Sequence, residues 1–327
     1  MPRDEELTMA SQKTPIALFL YNRPAHARLV LESLSQCRRL DECLLRIYCD
    51  GPRRPDDAES VAAVREVAQE WAERLNAEVV DHETNFGLSR SVVEGVSELC
   101  DSHGRVIVVE DDFLLSRSFL DYMLSALDRY ENESNVYQIC GYMFPIRHAS
   151  EPDAFFLPLT TTWGWATWSR AWKVFDWNAP DAETLRDPEL RRRFNLNDAY
   201  PYAEMLESKL AGENDSWGIL FWWAVFKAGG LVLHPRKSLV WNGGFDETGT
   251  HCGDQAWSSQ SVSDIDWSTG SFRFPADVAV DELAFDKVVR FLSSEQSEGN
   301  ILERLRRRIL QRRGRKESQR VHANNVR

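Results

Sequence analysis

The stretch of sequence that decides the fold is Arg105-Val106-Ile107-Val108-Val109-Glu110-Asp111-Asp112. Its four consecutive β-branched apolar residues predict a buried strand. Three carboxylates follow the strand directly. Neighbouring carboxylates repel one another and lose hydration when they are partly buried, so they need a compensating cation. The stretch therefore predicts a sheet-based core with a charged site at the end of one strand.

Three further strand patterns precede this one, at residues 15–21, 44–49 and 78–80. Helical patterns separate them, the clearest being residues 56–75, where apolar side chains recur every three or four positions. Strands and helices that alternate at this spacing predict βαβ units, and hence an α/β fold with a mostly parallel central sheet flanked by helices. Ligands of such sheets bind outside the carboxyl ends of the strands. The polar residues at three of these ends are Asn22-Arg23, Asp50-Gly51 and Glu110-Asp111-Asp112.

From about Gly141 the periodicity weakens and tryptophan becomes frequent, since 11 of the 12 tryptophans lie beyond this point. We expect this half to pack across the ligand edge of the sheet within the same domain. The expected divisions are a flexible N-terminus at 1–14, a βα half at 15–140, a tryptophan-rich half at 141–290, and a basic helix or tail at 291–327.

Composition excludes several classes of protein. The chain has 327 residues, 43% of them hydrophobic, which is ample for a folded core. Its longest clean apolar run, residues 16–21, is far below the roughly 20 residues that span a bilayer. A net charge of −12 is a poor match for nonspecific nucleic-acid binding. The first residues show no signal-peptide pattern, so we expect a cytoplasmic protein.

The last 27 residues differ in charge from the rest. Residues 301–327 contain nine arginines and one lysine against Glu303 and Glu317. Leu302, Leu305 and Ile309 fall at helical spacing within this segment. The pattern is typical of a helix that lies on an anionic membrane surface, and equally of a solvated terminal helix packed by one apolar edge.

The acidic triplet has two interpretations. Carboxylate oxygens suit a hard divalent cation such as Mn²⁺ or Mg²⁺, held by one or two carboxylates and by phosphate oxygens of a nucleotide. Alternatively, Asp112 caps a helix that starts near Ser116, because acidic side chains stabilise helix N-termini.

Residues 108–114, followed by 118–122, resemble the acidic metal-binding motif of GT-A-fold glycosyltransferases. The resemblance is closest to the inverting N-acetylglucosaminyltransferase I group, and bacterial family-2-like sugar transferases are similar. Further segments carry the same resemblance in the same order, over roughly residues 15–255: Tyr21-Asn22-Arg23-Pro24, Tyr48-Cys49-Asp50-Gly51, Asn85-Phe86-Gly87-Leu88-Ser89-Arg90, Trp163-Gly164-Trp165-Ala166-Thr167-Trp168, and residues 242–251.

The resemblance implies a metal-dependent enzyme that moves a sugar from a UDP-sugar to a glycan or lipid-linked acceptor, with inversion. It implies that Asp112, with Asp111, holds Mn²⁺ or Mg²⁺. Glu110 and Asp111 would contact ribose or metal-bound water, and Arg23 and Asp50 would hold the base. Alternatively, Asp50-Gly51-Pro52 forms a plain turn and Arg23 is a surface arginine. The other donor-binding residues that it implies are Asn22, Asn85, Arg90 and His251, the last at the diphosphate or the metal.

Two acids are candidates for the general base that an inverting transfer requires. The resemblance points to Glu213-Asn214-Asp215-Ser216-Trp217. Asp215 is the first choice and Glu213 the second, although Asp215 could also cap the helix that follows. The eukaryotic enzymes carry a doubled acid here, whereas this chain has Asp215-Ser216.

Aromatic faces stack on the C–H faces of sugar rings, which makes tryptophans candidates for acceptor binding. Large aromatic residues are more often buried in a core, and we expect at least seven of the eleven late tryptophans to be so. Trp163, Trp165 and Trp217 are the expected exceptions.

An intracellular enzyme with a basic tail fits surface polysaccharide assembly at the inner face of the cell membrane. A sugar nucleotidyltransferase is one alternative, although such enzymes usually begin with a glycine-rich phosphate loop, which Asn22-Arg23-Pro24 does not resemble. A non-catalytic carbohydrate-binding protein on the same fold is the other.

Overall fold

The computed structural model describes residues 13–149, 152–243, 265–266 and 270–294. Three features named above therefore lie outside the described residues: His251, most of the 242–251 segment, and the basic tail at 301–327.

The first half of the chain forms four parallel strands. They are β1 (Thr14–Leu20), β2 (Cys43–Cys49), β3 (Glu78–Asp81) and β4 (Arg105–Glu110), in the spatial order β3-β2-β1-β4. Helices α1 (Pro24–Ser35), α2 (Ala58–Leu75) and α3 (Leu88–His103) connect them. The predicted mostly parallel sheet flanked by helices is confirmed, with strand ends that differ from the predicted ones by at most one residue.

Both faces of this sheet are covered, as the alternation along β1 demonstrates. Ile16 and Leu18 pack into one apolar cluster with α1 and α2. Ala17 and Phe19 pack into another on the opposite face, with α3. Gly95 lets α3 approach closely, since a Cβ there would lie 2.9 Å from the Phe19 ring. A strand that is buried on both faces explains the uninterrupted apolar pattern in the sequence.

The second half of the chain extends the same sheet. Its strands are β6 (Val136–Cys140), β7 (Ala154–Leu157), β8 (Trp165–Trp168) and β9 (Leu231–Pro235), and the complete order is β3-β2-β1-β4-β8-β6-β9-β7. Strand β8 is antiparallel to both of its neighbours, and β7 is antiparallel to β9. We expected this half to pack across the ligand edge of the sheet. The structure shows that it supplies four strands to the sheet itself.

A two-stranded ribbon continues from the acidic triplet. β5 (Phe113–Leu115) pairs antiparallel with β10 (Val240–Asn242), and the Gly243 N–H donates to the Asp112 carbonyl at 2.8 Å. Helix α4 (Phe119–Arg129) follows β5. The other α-helices within the described residues are α5 (Ser169–Trp172), α6 (Pro188–Phe194), α7 (Tyr202–Leu210), α8 (Trp217–Lys227) and a helix over 282–294.

Among the described helices, none combines the length and apolar character that crossing a membrane requires.

Candidate functional site

The order of the strands brings Arg23 close to the acidic triplet at residues 110–112. From β1 the chain moves outward to β2 and β3, then returns to place β4 on the other side of β1. The crevice between two strands whose connections leave in opposite directions is the usual ligand site of doubly wound sheets. Phe19 pairs with Glu110 across β1 and β4, so Arg23 and the Asp111-Asp112 pair follow neighbouring strand ends.

Arg23 forms ion pairs with both aspartates of the triplet. Its Nη2 donates to Asp111 Oδ1 and, at 3.1 Å, to Asp112 Oδ2. All three side chains are largely buried, with exposed fractions of 17% for Arg23, 10% for Asp111 and 17% for Asp112. The resemblance implies that Arg23 holds the base of a nucleotide, whereas in the structure its guanidinium spans the acidic pair.

Burial dominates the electrostatics of this cluster. It raises the pKa of the Glu110 carboxyl well above its ordinary value, and the charges of Asp112 and Asp111 raise it further. Burial also raises the pKa of Asp111, although Arg23 opposes the shift. For Arg23, burial lowers the guanidinium pKa, but the two aspartates outweigh that effect and raise it overall. The cluster is therefore short of positive charge even with Arg23 in place.

Two buried polar atoms in the cluster have no hydrogen-bond partner, namely Asp112 Oδ1 and Arg23 Nη1. A carboxylate oxygen left unpaired next to a paired one is suited to a single bond with a hard cation. Within the described ranges, no group of three His, Cys, Asp or Glu side chains is placed to hold a metal. The donor set thus fits a cation held by one or two carboxylates, with its other ligands from elsewhere.

The helix-cap interpretation of Asp112 is wrong. β5 follows the triplet directly, and α4 begins only at Phe119 with Ser118 as its N-cap residue. The carboxylate of Asp112 faces Arg23.

Asp50 holds a turn together. Its Oδ1 accepts from the N–H groups of Gly51 and Phe86 at 2.8 Å each, and its Oδ2 accepts from Asn85 Nδ2 and the Gly87 N–H at 2.9 Å each. Four donors fill the acceptor sites of a carboxylate. The predicted contact of Asp50 with a base therefore requires one of these donors to leave. Asn85, a predicted donor-binding residue, is likewise engaged here.

Asp215 also lies close to that turn, in an open groove of about 390 Å³. Lys209 Nζ donates to its Oδ1 at 3.1 Å, and Oδ2 lies 3.8 Å from where a Cβ on Gly87 would be. The helix-cap alternative is wrong here too, because Ser216 occupies the N-cap position of α8. The groove is lined by Phe86, Ser89, Arg90, Glu94, Trp177 and Asp215.

Trp177 is the residue that the sequence analysis missed. It is 44% exposed, which is exceptional among the described tryptophans, and the ring of Phe175 meets it edge-on at 5.3 Å. Exposure of one tryptophan among many has no signal in a single sequence. In the structure it lies in an irregular segment after α5.

The structure corrects two of the three predicted acceptor-side tryptophans. Trp165 is fully buried and Trp217 is 4% exposed. They pack 5.4 Å apart, together with Trp172 and Phe221, on one face of the sheet. Neither presents a face to solvent, because both side chains fill the apolar interface between the sheet and α8. Trp163 is half-buried and packs edge-on against Tyr142 at 4.5 Å.

The remaining predicted residues are placed as follows. Glu213 is exposed and accepts from Ser208 Oγ at 2.8 Å. Arg90 pairs with Glu94 at 2.6 Å and lies over the Phe86 ring. Asn22 is half-buried between β1 and α1. These contacts divide the candidate residues between an acidic cluster around Arg23 and a groove around Asp215.

No protein-family model matches this chain, and a search of curated proteins finds no match. Solved structures with a similar fold include glycosyltransferases. GalNAc-T7, crystallised with UDP, GalNAc and Mn²⁺, aligns with 70% of this chain at 9% identity and a TM-score of 0.46. Mouse xyloside xylosyltransferase 1, in its apo form, aligns with 66% at 12% identity and a TM-score of 0.32.

A third similar structure is mannose-1-phosphate geranyltransferase from Thermus thermophilus, which aligns with 68% of the chain at 14% identity and a TM-score of 0.30. This chain spans 43% of the GalNAc-T7 structure, 82% of the xylosyltransferase and 73% of the third protein.

Proposed function

We propose that this protein is a glycosyltransferase that moves a sugar from a nucleotide-sugar, a UDP-sugar in the first instance, to a glycan or lipid-linked acceptor with inversion. The observation that carries the proposal is the cluster of Arg23, Asp111 and Asp112 at the switch point of the sheet. Phosphate groups of nucleotides commonly bind at such points. Asp112 Oδ1 is unpaired and would coordinate a cation. Arg23 Nη1 is also unpaired and would donate a hydrogen bond to a phosphate oxygen.

Asp112, with Asp111, would hold Mn²⁺ or Mg²⁺ in this proposal. A divalent ion there would neutralise the negative charge of the departing diphosphate. Asp50 fixes the turn at residues 85–87 on one side of the site. Contacts of His251 with the diphosphate, and of residues 301–327 with an anionic membrane, stay predictions for segments outside the described residues.

Asp215 would accept the proton of the acceptor hydroxyl. It is exposed in the groove, and Lys209 holds one carboxylate oxygen while the other points toward the turn at Gly87. The acceptor would occupy the groove with a sugar face against Trp177, which replaces Trp165 and Trp217 in this role. Glu213 remains the alternative base.

Calorimetric titration of UDP with and without Mn²⁺ tests the donor site. The wild-type protein should bind UDP more tightly with Mn²⁺, and Asp112→Asn should weaken that binding by about tenfold or more. Asp128→Asn is the matched control, because Asp128 pairs with Arg105 at the opposite end of β4, at 2.6 Å. UDP binding that ignores both Mn²⁺ and Asp112 would contradict the proposal.

Incubation with UDP-sugars separates the alternatives. Release of UDP supports a transferase. Formation of a UDP-sugar from UTP and a sugar 1-phosphate would indicate a nucleotidyltransferase. Tight binding without either reaction would favour the non-catalytic alternative.

A further inference from the structure

The guanidinium of Arg23 lies beside the carboxylates of Asp111 and Asp112, where a divalent cation would otherwise be expected to neutralise their charge. One nitrogen, Nη2, serves both Asp111 Oδ1 and Asp112 Oδ2, so a single guanidinium bridges the two carboxylates. The guanidinium and the two carboxylates are mostly shielded from water. This shielding strengthens the attraction between Arg23 and the aspartates, and it equally strengthens the repulsion between Arg23 and any second cation.

The ion pairs with the two aspartates leave the second terminal nitrogen of Arg23 without a hydrogen bond. Nη1 is buried and has no partner. An unpaired buried N–H carries a free-energy cost, so an acceptor that reaches it is favoured. A phosphate oxygen is such an acceptor, since guanidinium groups pair with phosphate in a forked geometry. The carboxylate oxygen that Arg23 leaves unpaired, Asp112 Oδ1, is available to coordinate a metal.

We propose that Arg23 competes with a divalent metal for the Asp111–Asp112 carboxylates, so that the site takes up metal strongly only together with a phosphate-bearing ligand. The inference rests on the proposed function only for the identity of that ligand, UDP. Without a phosphate, the guanidinium and the metal repel each other across the shared carboxylates. A diphosphate supplies negative charge to both cations and relieves that repulsion.

The test measures Mn²⁺ binding directly, by the loss of the electron paramagnetic resonance signal of free Mn²⁺, in the absence and presence of UDP. Arg23→Ala should bind Mn²⁺ alone about tenfold more tightly than the wild type, because the competing charge is gone. UDP should then increase Mn²⁺ affinity less in Arg23→Ala than in the wild type. Arg23→Lys keeps the charge and should stay close to the wild type for Mn²⁺ alone.

Both variants keep the main-chain hydrogen bond in which the Arg23 carbonyl accepts from the Ala27 N–H at 2.9 Å. Arg23→Lys also keeps a positive charge beside the carboxylates, so it should fold even if Arg23→Ala is destabilised. Circular dichroism checks this. Arg105→Ala is the matched control, as it removes an arginine–aspartate pair at the other end of β4 and should leave Mn²⁺ binding unchanged.

Mn²⁺ affinity that is unchanged or weaker in Arg23→Ala overturns the proposal, and so does failure of both proteins to bind Mn²⁺. If Mn²⁺ binding tightens as expected but UDP binds to neither protein, the competition holds and the proposed function fails instead. The two hypotheses are thus separated by one set of titrations.

Discussion

At the scale of single residues, the structure distinguishes side chains that hold the site in place from those free to react. Asp50 and Asp215 illustrate the difference. Both are aspartates close to the turn at residues 85–87, yet Asp50 is buried with four donors and Asp215 is exposed with one ammonium partner. An exposed carboxylate in a groove can reach a substrate without breaking the fold.

Asp215→Asn should lower turnover by about a hundredfold or more while it leaves UDP binding unchanged within about twofold. The amide cannot accept the proton of an acceptor hydroxyl, but it fills the same volume. UDP release from the UDP-sugar that binds is the measurement for turnover, and calorimetry is the measurement for binding. Glu213→Gln is the control; if it abolishes turnover and Asp215→Asn does not, the base is Glu213.

Trp177→Ala should raise the KM for the acceptor by about fivefold, because an aromatic face contributes on the order of 1 kcal/mol to stacking. The free energy of unfolding should change little, since the side chain is 44% exposed. Trp177→Phe should recover part of the loss. An unchanged KM in Trp177→Ala would place the acceptor elsewhere.

At the scale of strands and helices, the turn after β2 depends on a close approach between two main-chain segments. A Cβ on Gly51 would lie 2.5 Å from the Thr84 carbonyl carbon and 2.9 Å from the Asn85 nitrogen. These atoms belong to the backbone of the segment that carries Asn85, so they cannot move aside without disturbing the turn that Asp50 holds.

Gly51→Ala should therefore lower the free energy of unfolding by about 1–3 kcal/mol, as overpacking does. Urea denaturation measures the change. Gly270→Ala is the control, because nothing lies within 4 Å of a Cβ at that position. Equal stability of the two variants would show that the segments separate easily.

The elements that could be predicted from sequence are those with strong local periodicity. Strands β1, β2 and β4 and helix α2 are long and apolar on a regular spacing, so their limits were predicted closely. β5, β8 and β10 span only three or four residues each, and their partners lie far along the chain. Pairings of that kind leave no periodic pattern.

The candidate site shows the same division. Its position at the strand ends follows from the βαβ pattern alone. The pairing of Arg23 with Asp111 joins residues 88 positions apart, and no local rule predicts it. Burial of Trp165 and Trp217 depends on how α8 packs against β8, which is again a tertiary property.

At the scale of the whole molecule, His234 on β9 links stability to pH. It is fully buried, and its Nε2 lies 2.9 Å from the Leu159 carbonyl oxygen. Burial lowers the pKa of this imidazole to about 4, although hydrogen bonds to backbone carbonyls oppose the shift. Between about pH 6.5 and pH 4 the His234 imidazole binds a proton in the unfolded chain but not in the native protein. The free energy of unfolding therefore falls as the pH falls through this range.

The free energy of unfolding should consequently drop by about 2 kcal/mol more from pH 7 to pH 5 in the wild type than in His234→Gln. Urea titrations at both pH values give this difference, in which any pH-independent cost of the substitution cancels. His103→Gln, on α3, is the control. Identical pH dependence in wild type and His234→Gln would refute the assignment.

The position of β8 has a consequence for synthesis on the ribosome. Although β8 follows β6 in the chain, it pairs between β4 and β6, so β4 has a partner on only one side until residues 165–168 have been translated. A nascent chain that stalls earlier exposes one unpaired edge of β4, whose four central residues are apolar, and exposed edges of this kind recruit other chains. Translation products that end before residue 165 should therefore aggregate more than products that include β8.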